Sequence, residues 1–156
     1  MRSLRTIQII ALLLIAGRST AQGQPKLEIE IRDNKINMTQ QETSGGDIAY
    51  SPGDTLEYVI LAKNTGDGVM TNPEIVDPVP QGVDYIAESA TGENCRILFS
   101  ANGGMRYSEW PVTLPSPQGE GTRQARPDEI THIKWEIREA IPAGGQKTLS
   151  FRVIVE

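Results

Sequence analysis

The chain has 156 residues, with 15 basic and 20 acidic side chains and a formal net charge of −5 when its one histidine is neutral. That balance argues against nucleic acid as a partner, because a phosphate backbone selects basic surfaces. A single cysteine excludes an intramolecular disulfide.

The first residues, "MRSLRTIQIIALLLIAGRSTAQGQP", place Arg2 and Arg5 ahead of an apolar run from Ile9 to Ala16 and then the small-residue segment "RSTA". This is the layout of a secretory signal peptide. The apolar run falls short of the roughly 20 residues that a membrane-spanning helix needs. Cleavage is expected after Ala21, with Ser19 and Ala21 as the small residues. No cysteine follows "LLIAG", so no lipid attachment is expected, and the closing "TLSFRVIVE" contains no glycolipid-anchor tail. Residues 1–21 are therefore read as a leader and residues 22–156 as one domain, about 135 residues long and large enough for its own core. Loss of Arg2, Arg5 and Arg18 takes the 15 basic residues to 12 against 20 acidic ones, a mature net charge of about −8.

Beyond the leader no helical period is sustained, and short segments alternate apolar and polar residues in the manner of half-buried strands. In "KLEIEIR", Leu27, Ile29 and Ile31 face one way, and Lys26, Glu28, Glu30 and Arg32 face the other. The outward charges suit an edge strand. "TLEYVILAKN" is apolar more continuously from Leu56 to Ala62, as a central strand should be, and Val59 and Ile60 favour strand over helix. "CRILF" sets Cys95 in phase with Ile97 and Phe99 on an inward face, which predicts an inert buried thiol. "THIKWEIRE" points Ile133, Trp135 and Ile137 inward, and "KTLSFRVIVE" does the same with Leu149, Phe151, Val153 and Val155.

Turn residues punctuate these segments. "SPGD" at 51–54, "VPQG" at 79–82 and "IPAG" at 141–144 pair a proline of preset φ with a following glycine. "NTGDG" at 64–68 and "NGG" at 102–104 supply residues that tolerate positive φ and are expected to close hairpin-like connections. The prolines of "TNPEIVDPVPQGVDY", residues 71–85, restrict ladder pairing and mark an edge segment or a crossing between sheets. About seven short strands with such turns predict an all-β, Greek-key β-sandwich. Residues 105–129, rich in proline, glycine and charge, read as a long excursion with a short strand near Tyr107 to Trp110, and a loop of that length is often functional.

Candidate chemistry is sparse. His132 is the one residue able to serve a histidine-based triad, yet the alternation places it on a solvated face beside Lys134. No zinc-protease, paired-cysteine, nucleophile-elbow or phosphate-loop motif accompanies it. Asp67, Asp77 and Asp84 lie near predicted turns and raise calcium as a possible ligand, but their spacing follows no known calcium loop, and aspartate belongs in turns for its own backbone hydrogen bonds. Tyr107 and Trp110 could stack on a sugar, although packing of Trp110 into the core is the stronger expectation. Asn37-Met38-Thr39 is formally a glycosylation sequon. No catalytic, cofactor or metal residue is assigned, and no enzyme is expected.

From residue 60 onward the residues carry a family resemblance. Asn64 and Gly66, Asn72 and Pro73, Asp77 and Pro78, Pro80 and Gly82, and Ser89 to Gly92 together resemble the pattern of the DUF11 family, a domain of unknown function in bacterial and archaeal surface proteins, often in tandem repeats. "FSANGGMRY" and "PDEITHIKWEIREAIPAGGQKTLSFRVIV" continue the likeness, with Asn102 where similar proteins carry an aspartate. The resemblance implies an immunoglobulin-like sandwich at the cell surface, with no catalytic residues to transfer.

The expected function is an exported, non-catalytic structural or protein-interaction module, placed in the periplasm, at the cell surface or outside the cell. It would pair with protein partners or itself through sheet faces and strand edges, with "KLEIEIR" or the C-terminal strand as the edge. The alternative is a glycan- or calcium-binding surface module that uses residues 105–129 and the adjacent turns.

Overall fold

A computed structural model describes residues 23–36 and 50–156. The expected leader and the Asn37-Met38-Thr39 sequon lie outside the described residues. Within them the alternating segments form ten strands: β1 (Leu27–Lys35), β2 (Thr55–Asn64), β3 (Glu74–Pro78), β4 (Val83–Tyr85), β5 (Thr91–Gly92), β6 (Cys95–Ser100), β7 (Thr113–Pro115), β8 (Thr122–Gln124), β9 (His132–Ile137) and β10 (Gln146–Val155). The expectation of about seven undercounts because β5, β7 and β8 are two or three residues long, too short to show a period.

All pairings are antiparallel. One sheet runs β1-β2-β10-β4, with β5 also on β10; a second runs β3-β9-β6; and β7 and β8 form a separate hairpin. The first two sheets pack face to face through alternate side chains. Leu56, Ile60, Leu149, Phe151 and Val153 meet Ile75, Phe99, Ile133, Trp135 and Ile137, all 5% exposed or less. Trp135 and Phe151 touch across the layers at 6.1 Å between ring centroids, and Tyr85 meets Phe99 at 5.4 Å. The Trp135 indole donates to the Thr91 carbonyl at 3.0 Å, so the ring is buried with its polar atom satisfied.

Most of the predicted strands fall in place. β2 is central, β1 is an edge with Glu28, Glu30 and Arg32 exposed, and β9 and β10 turn the expected residues inward. The C-terminal strand is not an edge, because β10 is flanked by β2 on one side and by β4 and β5 on the other. Both expectations for the proline-rich stretch hold: β3 is an edge strand, and residues 79–82 carry the chain from its sheet to β4 in the other.

"NTGDG" behaves differently from a hairpin turn. It joins β2 to β3, which lie in different sheets, and neither Gly66 nor Gly68 has positive φ. The glycines are needed for room. A Cβ on Gly66 would stand 2.1 Å from the Gln24 carbonyl oxygen, and one on Gly68 would stand 1.8 Å from that of Gly23. Residues 23–26 thus lie directly on this loop.

Asn64 locks the same crossing. It is fully buried, and its Nδ2 donates to the carbonyls of Gly68 at 2.7 Å and Ile141 at 2.9 Å. Its Oδ1 accepts from the amides of Lys26 at 3.2 Å and Gly66 at 3.1 Å. Four bonds satisfy the amide and tie the start of β1, the crossing loop and the approach to β10 to one point. An Asn64→Asp substitution keeps the shape but turns a carboxylate towards two carbonyl oxygens. It is expected to lower unfolding free energy by about 3 kcal/mol. Urea denaturation of both proteins checks this, and a midpoint unchanged by the substitution would contradict it.

Candidate interaction edge

Among the described residues the five-stranded sheet extends one strand, β1, beyond the three-stranded sheet on one side. Phe151 of β10 contacts Trp135 of β9, Tyr85 of β4 contacts Phe99 of β6, and Asp77 of β3 raises the pKa of Tyr58 on β2 by its proximity. β10 therefore lies over β9, β4 over β6 and β2 over β3, which leaves β1 with no strand opposite among the described residues. The inward residues of β1 record this. Leu27, Ile29 and Ile31 pack against the core but are only partly buried, while Ile60 and Ala62 on neighbouring β2 are fully buried.

Both strands on this side have open edges. In an antiparallel pair, residues alternate between bonding to the neighbour and pointing away from it. The amide of Val79 donates to Thr131, and that of Ile137 donates to Pro73, so the odd residues of β3 bond to β9. The main-chain groups of Glu74 and Val76, with the Pro78 carbonyl, therefore face outward from the sheet edge. By the same reasoning, Ile36 donating to Thr55 and Thr65 donating to Lys26 commit the even residues of β1 to β2. The odd ones, Leu27 to Lys35, direct their main-chain groups away from β2, where no strand among the described residues pairs with them.

Polar side chains gather in this open corner. Asp77 follows Ile75 on the inward face of β3 and is 5% exposed. Burial alone pushes its carboxyl up to about 7, with no hydrogen bond or cation to offset it. Asp33 stands opposite Tyr58 in the β1–β2 register and accepts a hydrogen bond from the Tyr50 hydroxyl. Burial, then the charges of Asp33 and Asp77, push the Tyr58 phenol up to about 12. Tyr58, a neutral phenol, is thus the group across the sheets whose pKa responds to Asp77, and no hydrogen bond to Asp77 stabilises its charge.

The remaining sequence candidates do not converge. Asp67 is exposed in the β2–β3 crossing, Asp77 is inside β3, and Asp84 sits half-buried in β4 opposite Ile154. Among the described residues no three acidic, histidine or cysteine side chains are grouped to hold a metal ion. His132 is half-buried, with Nδ1 at 3.1 Å from the Thr131 hydroxyl. Cys95 is half-buried rather than sealed, since β6 begins at the sheet margin; its thiol donates to the Glu93 carbonyl at 3.3 Å, and burial raises its pKa. Asn102 accepts from the Arg106 amide at 3.0 Å and the Ser100 hydroxyl at 2.9 Å, so it organises the "NGG" turn.

The 105–129 excursion is built into the fold. Ser108 bridges to Phe99, extending the β6 edge where a short strand was predicted. Trp110 packs edge-on against Tyr85 and Phe99 at 6.1 and 5.8 Å, which commits its ring to the core. Tyr107 lies 5.2 Å from the Lys134 ammonium. Val112, Ala125 and Ile130 are buried, and Arg123 grips both carboxylate oxygens of Glu129 at 2.6 Å.

The sequence did not single out the corner. Asp77 falls among turn aspartates by its following Pro78; its place directly after apolar Ile75 and Val76, in phase with Ile75, is the available signal. No protein-family model, curated protein or solved structure matches this chain.

The raised Asp77 pKa has a fixed sign for stability. The unfolded carboxyl ionises near 3.8 and the folded one near 7, so the folded state binds more protons between those values. Stability is therefore fullest below pH 4 as far as this group is concerned and declines up to about pH 7, by on the order of 4 kcal/mol. Asp77→Asn is expected to raise the melting temperature at pH 8 and leave it nearly unchanged at pH 4. Thermal unfolding at both pH values decides it; an equal effect at each would show that the carboxyl ionises normally in the fold.

Proposed function

We propose that this chain is an exported, non-catalytic interaction module of the cell envelope or an extracellular assembly, and that it works through its open sheet edges. The observation that carries the reading is the corner where β1 and β3 both present unpaired main-chain groups on one side of the molecule. Unpaired strand edges are templates for another strand, and proteins that bind by strand addition use them. Export rests on the leader-like residues 1–21. Among the described residues, 23–26, which follow the expected cleavage site, pack on the Gly66–Gly68 loop. Among the described residues no helix is long and apolar enough to cross a membrane.

The immunoglobulin-like, Greek-key assignment and membership of the DUF11 family belong to the same proposal. They draw support from the two antiparallel sheets and from the structural weight of the motif residues. Asn64 and Gly66, which open the family pattern, are the bonding centre and the close approach of the crossing loop. A glycan reading is less favoured, because Trp110 is partly buried and its ring packs edge-on against Tyr85 and Phe99.

Size-exclusion chromatography with light scattering, joined to crosslinking in the native cell, tests the reading. Self-association or a recovered protein partner, with crosslinks at residues 27–35 or 74–78, is the expected result. A monomer at high concentration that yields no crosslinked partner would contradict it.

A further inference from the structure

The open corner has the dimensions of one missing strand. Five strands in four positions, β4 and β5 sharing one side of β10, face three, and among the described residues the vacant position beside β3 lies beneath the part-exposed inner face of β1. A strand entering there would pair with Glu74 and Val76, complete the smaller sheet and cover Leu27, Ile29 and Ile31. We infer that this position receives an extended basic segment of another protein, which adds as a strand to the free edge of β3 and places a lysine or arginine against Asp77. This rests on the interaction-module reading and names the partner chemistry for its edge.

Charge selects the occupant. An apolar strand alone would leave Asp77 sealed in with no donor, and burying an unpaired carboxylate is strongly unfavourable. Asp77 is 5% exposed and has no hydrogen bond, and Asp33 stands on the facing strand beside Tyr58. Asp77 is turned inward beside this vacancy, the charges of Asp77 and Asp33 both act on the Tyr58 phenol, and among the described side chains no cation acts on Asp77. A cationic side chain from the incoming strand would meet Asp77 directly. No side-chain nitrogen or oxygen that is fully sealed from solvent lacks a partner in the described residues. The unbonded Asp77 oxygens therefore keep a narrow contact with solvent on this side.

The geometry of the edge fixes where the cation must sit. Because Glu74 and Val76 carry the free main-chain groups, the residue opposite Asp77 occupies a non-hydrogen-bonded position, where facing side chains stand closest. It also points inward, as Asp77 does. β3 is five residues long, and at its end Pro78, whose nitrogen faces the outer edge, has no amide hydrogen to donate, so the ladder is confined to about that length. The expected segment is short, with small or apolar residues flanking one lysine or arginine on the same face. The acidic balance of the chain favours its approach.

A labelled seven-residue peptide alternating threonine with inward valine, lysine, valine is the probe, and its glutamine analogue is the control. Fluorescence anisotropy with the mature protein at pH 7.5 is expected to show at least tenfold tighter binding of the lysine peptide. The preference should vanish in Asp77→Asn. Val76→Pro, which removes a free edge amide without touching the β9 pairing, should abolish binding of both peptides, with circular dichroism confirming that the fold is kept. Equal affinities for the two peptides, or a lysine preference that survives Asp77→Asn, would overturn the inference while leaving edge-mediated association intact. Absence of binding by either peptide, with native crosslinks mapping to β1 or another surface, would overturn it as well. Failure of the broader reading would be seen separately, as no partner and no self-association at all.

Discussion

The unequal strand count of the two sheets governs the rest of the molecule. Wherever strand lies over strand, as β10 over β9 and β4 over β6, the facing side chains seal a core built around Trp135, Phe151, Tyr85 and Phe99. Where β1 has no counterpart, burial falls off and polar groups enter the inner faces. Asp33 and Asp77 occupy that margin, and Tyr58 bridges from it into the core by stacking on Phe151 at 5.2 Å. A carboxylate is tolerated there because the corner stays open to water, yet it is buried enough to lose much of its hydration. The folded domain so carries a local cost at neutral pH that a binding partner could relieve.

The overhanging strand needs its own restraint, and Asn64 supplies it. Among the described residues β1 is held along one edge, by β2, and an edge strand with a half-covered face has little apolar burial to secure it. The Asn64 amide and the close seat of residues 23–26 on Gly66 and Gly68 anchor its beginning to the crossing loop. This explains why an asparagine sits where an apolar core residue would otherwise be expected. It is a polar joint inside the layer, acceptable because all four of its hydrogen bonds are made. The open corner is thereby kept in shape without a strand to fill it.

Much of this architecture is legible from periodicity. Alternation in β1, β9 and β10 gave the correct inward faces, because each of those strands has one side on the core over six or more residues. Pairing order was not legible, since it depends on which edges meet after folding; β10 resembles an edge strand by pattern and lies in mid-sheet. "NTGDG" was read as a turn for its glycines, although their role is steric clearance, visible only once residues 23–26 are in place. Asp77 was obscured by the turn-rich sequence around it. Its burial depends on which strands meet across the two layers, and that is not written in the local pattern of β3.

The central claim is that β3 is an unpaired edge available to another strand. Amide hydrogen exchange followed by NMR on the mature protein addresses it residue by residue. The account predicts fast exchange at Glu74 and Val76, whose amides face outward, and protection at Ile75 and Asp77, whose amides bond to β9. Equal protection at all four would mean that the outer edge of β3 is already occupied, and would contradict the claim.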